Sequence, residues 1–249
     1  MGKNTYKFNS PKLSSDFTMT PGDMAQSLVK SVGNFVPIFG GPITSLLNDY
    51  IPSEVSKRKD DLLVALQHDF QILAEEINEK NLNRPAFISL FMQSFKSAMA
   101  TEKDEKIECY RAIIANSLIE SNPDSDKEVI MLKILDTLSP LHIKFLKVLR
   151  DPRKYMADNN QIERARAIMQ ELGVKAEGLK TFAEVCFPEY EFSLINIIGK
   201  DIVNSGLAEQ ASLTNIDLLS PRLNSFGNNF LEFITFPKDF KREIGDSIT

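Results

Sequence analysis

The side chains best suited to nucleophilic or metal chemistry in this chain are two cysteines and two histidines: Cys109, Cys186, His68 and His142. A thiolate beside an imidazole can attack carbonyl groups, but a zinc site needs a third histidine or a CxxC pair, and the sequence has neither. Free cysteines on apolar helices are far more often small core residues. We therefore expect both cysteines to lie in the core.

Carboxylate chemistry is the next class to consider, because helical bundles can hold a di-iron centre with Glu-x-x-His motifs on facing helices. Ala65 and Ser139 stand three positions before the two histidines, which excludes this motif. Phosphate-loop, dinucleotide-binding, serine-hydrolase and zinc-protease motifs are also absent from the sequence. We expect no catalytic residue, no metal and no cofactor, and we predict that the chain is not an enzyme. His142 is expected at the edge of the core rather than as a pH switch.

The net charge of the chain argues against nucleic acid as a partner. Its 249 residues carry a formal net charge of −5, whereas nucleic-acid binding calls for clustered Lys and Arg. Two widely separated cysteines indicate a reducing compartment, and no run of about 18 apolar residues could span a membrane. We predict a cytoplasmic protein that binds another protein or a second copy of itself, while a small-molecule ligand stays open.

Glycine is absent from residues 42–172, although the chain has 11 glycines. A gap of this length indicates long helices packed side by side. Apolar residues at three- and four-residue steps predict a long helix over residues 53–80, and shorter helices follow after Asn83-Arg84-Pro85. The sequence therefore predicts an all-α fold, with an antiparallel multi-helix bundle over residues 20–150.

Polar side chains mark the starts of three of these helices. Thr101-x-x-Asp104 and Ser125-x-x-Glu128 have the spacing of capping boxes, in which side chains satisfy the first backbone N–H groups. Ser139-Pro140 puts an N-cap before a first-turn proline. These three sites predict where the later bundle helices begin.

A change of pattern at Asp151-Pro152 predicts a second module. Helices are predicted near residues 161–172, 181–187, 192–203 and 225–234, with extended pieces around 211–219. This order is typical of a small winged-helix-like module, placed here at residues 151–236, with arms at 1–19 and 237–249. Residues 191–237 hold two basic and five acidic side chains, a balance that would repel duplex DNA.

An apolar, uncharged loop at residues 32–43 is the most unusual segment of the sequence. Its glycines and prolines suit a tight buried connection between two helices. The alternative is a loop that docks a partner or enters a bilayer, and then Phe35, Val36, Ile38 and Phe39 would make the contact. Basic residues usually flank such a membrane loop, and only Lys30 is near, so the buried connection is favoured.

Two groups of short motifs resemble a known family. Val36-Pro37-Ile38-Phe39-Gly40-Gly41-Pro42 precedes a helix with Lys57-Arg58-Lys59. Leu138-Ser139-Pro140-Leu141 is followed much later by Gly206-Leu207 and by Leu223-Asn224-Ser225-Phe226-Gly227-Asn228-Asn229-Phe230-Leu231. The pattern is similar to the bacterial abortive-infection alpha family, all-helical proteins associated with defence against phage. The family has Thr before the aromatic-Gly pair, where this chain has Ser225.

The resemblance implies a non-enzymatic antiviral defence protein of the abortive-infection type, acting through protein–protein contacts. Three alternatives stay open. They are a membrane-damaging effector that uses the loop at residues 32–43, a winged-helix transcriptional regulator, and a small-molecule sensor with a pocket between helices.

Overall fold

A computed structural model describes residues 56–82, 84–172 and 178–237 of the chain. The helices of these ranges, numbered along the described part, are α1 (Ser56–Ile72), α2 (Glu79–Leu82), α3 (Pro85–Ala100), α4 (Asp104–Ile119), α5 (Ser125–Thr137), α6 (Pro140–Arg150), α7 (Pro152–Asp158), α8 (Ile162–Leu172), α9 (Gly178–Cys186), α10 (Phe192–Asn204), α11 (Gln210–Leu213) and α12 (Ser225–Phe233).

The all-α class is confirmed, since helix makes up 74% of the described residues. Their one β-pairing is an isolated antiparallel bridge between Ala208 and Leu223. The extended pieces predicted around residues 211–219 are wrong, because Gln210–Leu213 forms α11 and turns follow it. The winged-helix-like character of the C-terminal module is therefore not confirmed.

The contacts divide the chain into two compact units, Met1–His68 and Asp69–Thr249. Of the first unit, the structure describes only the part of α1 that ends at His68, so the description below concerns the second unit. The boundaries predicted at residues 19/20, 150/151 and 236/237 stay predictions. The apolar loop at residues 32–43 lies outside the described residues.

Helices α3, α4 and α5 pack against one another and form the first part of the second unit. Phe87, Phe91 and Phe95 follow one side of α3 at four-residue steps and are all buried. A buried ion pair links α1 to α4. Arg111, on α4, donates to both carboxylate oxygens of Asp69, on α1, at 2.8 and 2.7 Å. The predicted spacing of apolar residues therefore produces a close-packed helical core.

The long helix predicted over residues 53–80 is wrong at its C-terminal end. α1 ends at Ile72, and turns lead to α2, which begins at Glu79. The backbone N–H of Asn78 donates to the carbonyl of Leu118 at 3.0 Å, and the Asn78 side chain accepts from the backbone N–H of Lys80 at 3.2 Å. These bonds take the place of helical backbone hydrogen bonds at Asn78. The helix therefore ends, although apolar residues continue at helical spacing in the sequence.

Two of the three predicted helix starts differ from the structure. α4 begins at Asp104 without a side-chain cap, so Thr101 does not form the predicted box. The N-cap of α5 is Asp124, whose side chain accepts two backbone N–H groups of the first turn at 3.1 Å. Glu128 is unavailable for capping because Arg84 donates to both of its oxygens at 2.9 and 3.0 Å. A tertiary ion pair has replaced a local capping contact.

Side-chain amides close the C-terminal ends of two helices. The Asn116 amide, on α4, lies 3.3, 2.9 and 2.9 Å from the carbonyls of Glu232, Phe233 and Thr235 at the end of α12. The Asn81 amide lies 2.7–3.2 Å from three carbonyls at the end of α4 itself. The last carbonyls of a helix lack the usual N–H partner four residues further on, so these amides supply donors at both helix ends.

Candidate functional site

The chain reverses direction after α10, at the bridge between Ala208 and Leu223. The residues between the two partners form α11 and a series of turns. We call residues 212–217 the clamped loop, because a single buried arginine binds this stretch of backbone. That arginine, Arg222, lies just before the returning partner of the bridge.

Arg222 donates hydrogen bonds to four backbone carbonyls of the clamped loop. One terminal nitrogen lies 3.1 and 2.8 Å from the carbonyls of Ser212 and Leu213, and the other lies 2.9 and 3.0 Å from those of Asn215 and Asp217. These carbonyls are taken by the guanidinium rather than by a neighbouring strand. This is the physical reason that the predicted extended pieces do not form.

The guanidinium of Arg222 is desolvated as well as hydrogen-bonded. The residue is 1% exposed, and its Cζ lies 4.6 Å from the ring centroid of Phe182, a cation–π distance. Its Nε has no hydrogen-bond partner within the described part of the chain. Burial lowers the pKa of Arg222 to about 10, which is still well above neutral pH, so the clamp remains a cation.

Two glycines allow backbone segments to approach the loop and the bridge closely. A Cβ at Gly178 would clash with the backbone of Thr214 and Asn215. A Cβ at Gly227 would clash with the carbonyl of Leu207, beside the bridge. The clamped loop is therefore held from the start of α9 as well as by Arg222.

A second feature of this part of the chain is the exposed side of α10. The apolar residues of this helix include Leu194, Ile195, Ile198 and Ile202; the three isoleucines are buried, but Leu194 is 42% exposed. Ile197 is 55% exposed. Leu194 differs from Ile195 in exposure because it lies one position earlier, about 100° away around the helix.

Four exposed residues of this segment recur at three-residue steps: Glu191, Leu194, Ile197 and Lys200. Residues spaced in this way form one ridge across a helix surface. We call them the exposed ridge, with an acid at one end, a base at the other and two apolar side chains between. Apolar side chains exposed on adjacent turns can join into one patch, and contiguous apolar patches mark contact surfaces.

His142 connects α6 to α10 and explains the third predicted helix start. Ser139 is the N-cap of α6, with its hydroxyl 2.7 Å and its backbone nitrogen 3.2 Å from His142 Nδ1. The other ring nitrogen lies 3.3 Å from Asp201. Because Nδ1 accepts from Ser139, Nε2 carries the hydrogen towards Asp201. The serine, histidine and aspartate thus cap one helix and fasten it to another, which fits the expected position of His142 at the core edge.

The two cysteines lie in the core, as expected. Burial raises the pKa of both the Cys109 and the Cys186 thiols to about 12, so both are protonated at neutral pH. A nucleophilic cysteine needs the thiolate, and neither environment supplies it. The side chains of Phe35, Val36, Ile38 and Phe39, predicted as a possible contact, lie outside the described residues.

Sequence reasoning missed Arg222 and Ile197. It counted Arg222 only towards the net charge, because the partners of Arg222 are backbone carbonyls, which no pattern of side chains marks. Ile197 is out of step with the buried residues Ile195, Ile198 and Ile202, so helical spacing alone does not assign it a role. The useful signal was that α10 has more apolar residues than one buried face requires.

No group of three or more His, Cys, Asp or Glu side chains among the described residues is placed to hold a metal ion. None of the helices that the structure describes is both long and apolar enough to cross a membrane. No family model matches the chain, and no curated protein or solved structure matches it.

Proposed function

We propose that this protein acts in prokaryotic antiviral defence of the abortive-infection type, through protein contacts made by the exposed ridge. The exposure of Ile197 and Leu194, at 55% and 42%, is the observation that supports a contact role for this surface. The family resemblance supports the biological setting. Its C-terminal motif lies next to the ridge-bearing helix, where Asn224 donates to the carbonyl of Gly206 at 2.9 Å.

The clamped loop supports a contact role in a second way, because it carries an exposed apolar side chain on a fixed backbone. Ile216 is 46% exposed on a stretch whose backbone is fixed by four hydrogen bonds to Arg222. A preorganised surface loses less conformational entropy when it binds than a flexible one. An apolar side chain on a fixed loop is therefore suited to protein recognition.

The charges of the C-terminal module suit contact with a protein better than binding to DNA. Residues 191–237 contain only two basic side chains, and Arg222 is fully buried in its carbonyl cage. Lys200 is thus the single basic side chain of this segment that reaches solvent. Binding of the duplex backbone depends on several exposed cations, so the transcriptional-regulator alternative is disfavoured.

Phage plating on cells with and without the protein tests the proposal. We expect fewer plaques with the parent protein for at least some phages of a broad panel, and recovery of plaques when Leu194 and Ile197 are both replaced by serine. The matched control is Ile130→Ser, on α5, where an isoleucine is similarly exposed at 51%. Equal plaque counts with and without the parent protein across the panel would refute the defence role. Full protection by the double serine variant would refute the role of the ridge.

A further inference from the structure

We propose that the exposed ridge pairs with the same ridge of a second copy of this chain, across a two-fold axis. This inference rests on the proposed contact surface and names its partner. A two-fold interface brings the same patch of both copies together, so the patch must be complementary to itself. The order of residues along the ridge has this property.

The ridge reads acid, apolar, apolar, base at equal steps of three residues. When two such ridges lie side by side in opposite directions, Leu194 of one copy meets Ile197 of the other. Glu191 of one copy then meets Lys200 of the other, and the two-fold axis generates each contact twice. Two ridges in the same direction would instead place like charges together.

The local environment leaves both charged ends available for such pairs. Lys200 is exposed and has no ion-pair partner within the described residues, and Glu191 accepts only a hydrogen bond from the Ser193 hydroxyl, at 3.3 Å. Glu191 is the N-cap residue of α10, but its side chain makes no capping bond. Substitutions at either end therefore leave the hydrogen bonds of α10 in place.

The geometry also sets the strength of the pairing. Rows at three-residue spacing run at about 45° to the helix axis, so aligned ridges make the two α10 helices cross nearly at right angles. Such a crossing is short, and it buries less area than the roughly 800 Å² per partner of a standard interface. We expect a weak dimer that forms in a concentration-dependent way.

Charge reversal at the two ends of the ridge tests this pairing, with the oligomeric state of the full chain measured by sedimentation over a wide range of protein concentration. Glu191→Lys and Lys200→Glu are each expected to weaken dimerisation by about tenfold, because each reversal places like charges at both symmetric ends. The double variant, with both reversals, is expected to restore dimerisation to the parent level. Restoration is specific to self-pairing, since it requires the two positions to meet.

The matched control is Lys133→Glu, because Ile130 and Lys133 on α5 repeat the exposed Ile-x-x-Lys spacing away from the ridge. We expect this control to leave the dimer unchanged. A parent protein that stays monomeric, a double variant as weak as the single ones, or an equal loss with the control would each overturn self-pairing. The plating experiment with the serine variants judges the contact role separately, because it does not depend on which partner occupies the ridge.

Discussion

Replacement of Arg222 by methionine is expected to destabilise the protein strongly while keeping most of the apolar stem of the side chain. Four hydrogen bonds of 2.8–3.1 Å link the guanidinium to the clamped loop, and hydrogen bonds to a charged group contribute about 1.5–3 kcal/mol each. Their sum overstates the effect, because burying the cation costs several kcal/mol. The variant leaves up to four backbone carbonyls without this partner, at about 1–3 kcal/mol for each that stays buried, and loss of the buried cation offsets part of that cost. We therefore expect the free energy of unfolding to fall by about 3–5 kcal/mol.

Urea unfolding measures this loss, and amide hydrogen exchange locates it. Faster exchange in the Arg222→Met variant should concentrate at residues 212–217, because their carbonyls lose the clamp. Arg222→Lys retains a positive charge but not the planar fork, so we expect it to recover less than half of the loss. The matched control is Arg166→Met, which removes an exposed pair with Glu163 and should cost less than about 1 kcal/mol. A stability of Arg222→Met within about 0.5 kcal/mol of the parent, a typical surface effect, would refute the reasoning.

Three further substitutions test other features of the second unit by urea unfolding. Gly227→Ala should cost about 1–3 kcal/mol, because the added methyl group clashes with the carbonyl of Leu207; an unchanged midpoint would contradict the close approach. Asn116→Ala should cost about 1–3 kcal/mol, since it leaves the last carbonyls of α12 without their amide; no loss would mean that water replaces it. Burial raises the pKa of the Cys109 and Cys186 thiols from 9.0 to about 12, so the stability they contribute is complete below pH 9 and declines as the pH rises towards 12. Replacing both cysteines by alanine should reduce the alkaline slope by about 1.4 kcal/mol per pH unit for each thiol, and an unchanged slope would contradict the buried environment.

The sequence predicted those parts of the fold that local signals control. Ser139-Pro140 begins a helix as expected, because both the cap and the fixed proline angle act within one turn. α10 and α12 were placed to within a residue of their observed ends, and their termini coincide with Ser205-Gly206 and Asn224. Gly206 has a φ of +73°, a conformation that glycine adopts without strain.

Predictions failed where a distant group replaced a local one. Ser125-x-x-Glu128 has the spacing of a capping box, but Glu128 binds Arg84, 44 positions away in the chain. The apolar stripe of α1 gave no sign that Asn78 would bond to Leu118. The role of Arg222 likewise depends on four carbonyls, and carbonyls are common to every residue, so no spacing of side chains could indicate it. The candidate site was therefore less predictable than the helices that surround it.

The amide of Asn116 has a consequence for the order in which the protein folds during synthesis. Its partners are the carbonyls of Glu232, Phe233 and Thr235, more than a hundred positions further along the chain. α4 can pack against α3 soon after both leave the ribosome, but the end of α12 can reach Asn116 only after more than a hundred further residues have been added. Contacts of such long sequence separation form slowly because they close a large loop. In a nascent chain, the α12-binding side of α4 therefore stays uncovered until the residues of α12 have been synthesised and have left the ribosome.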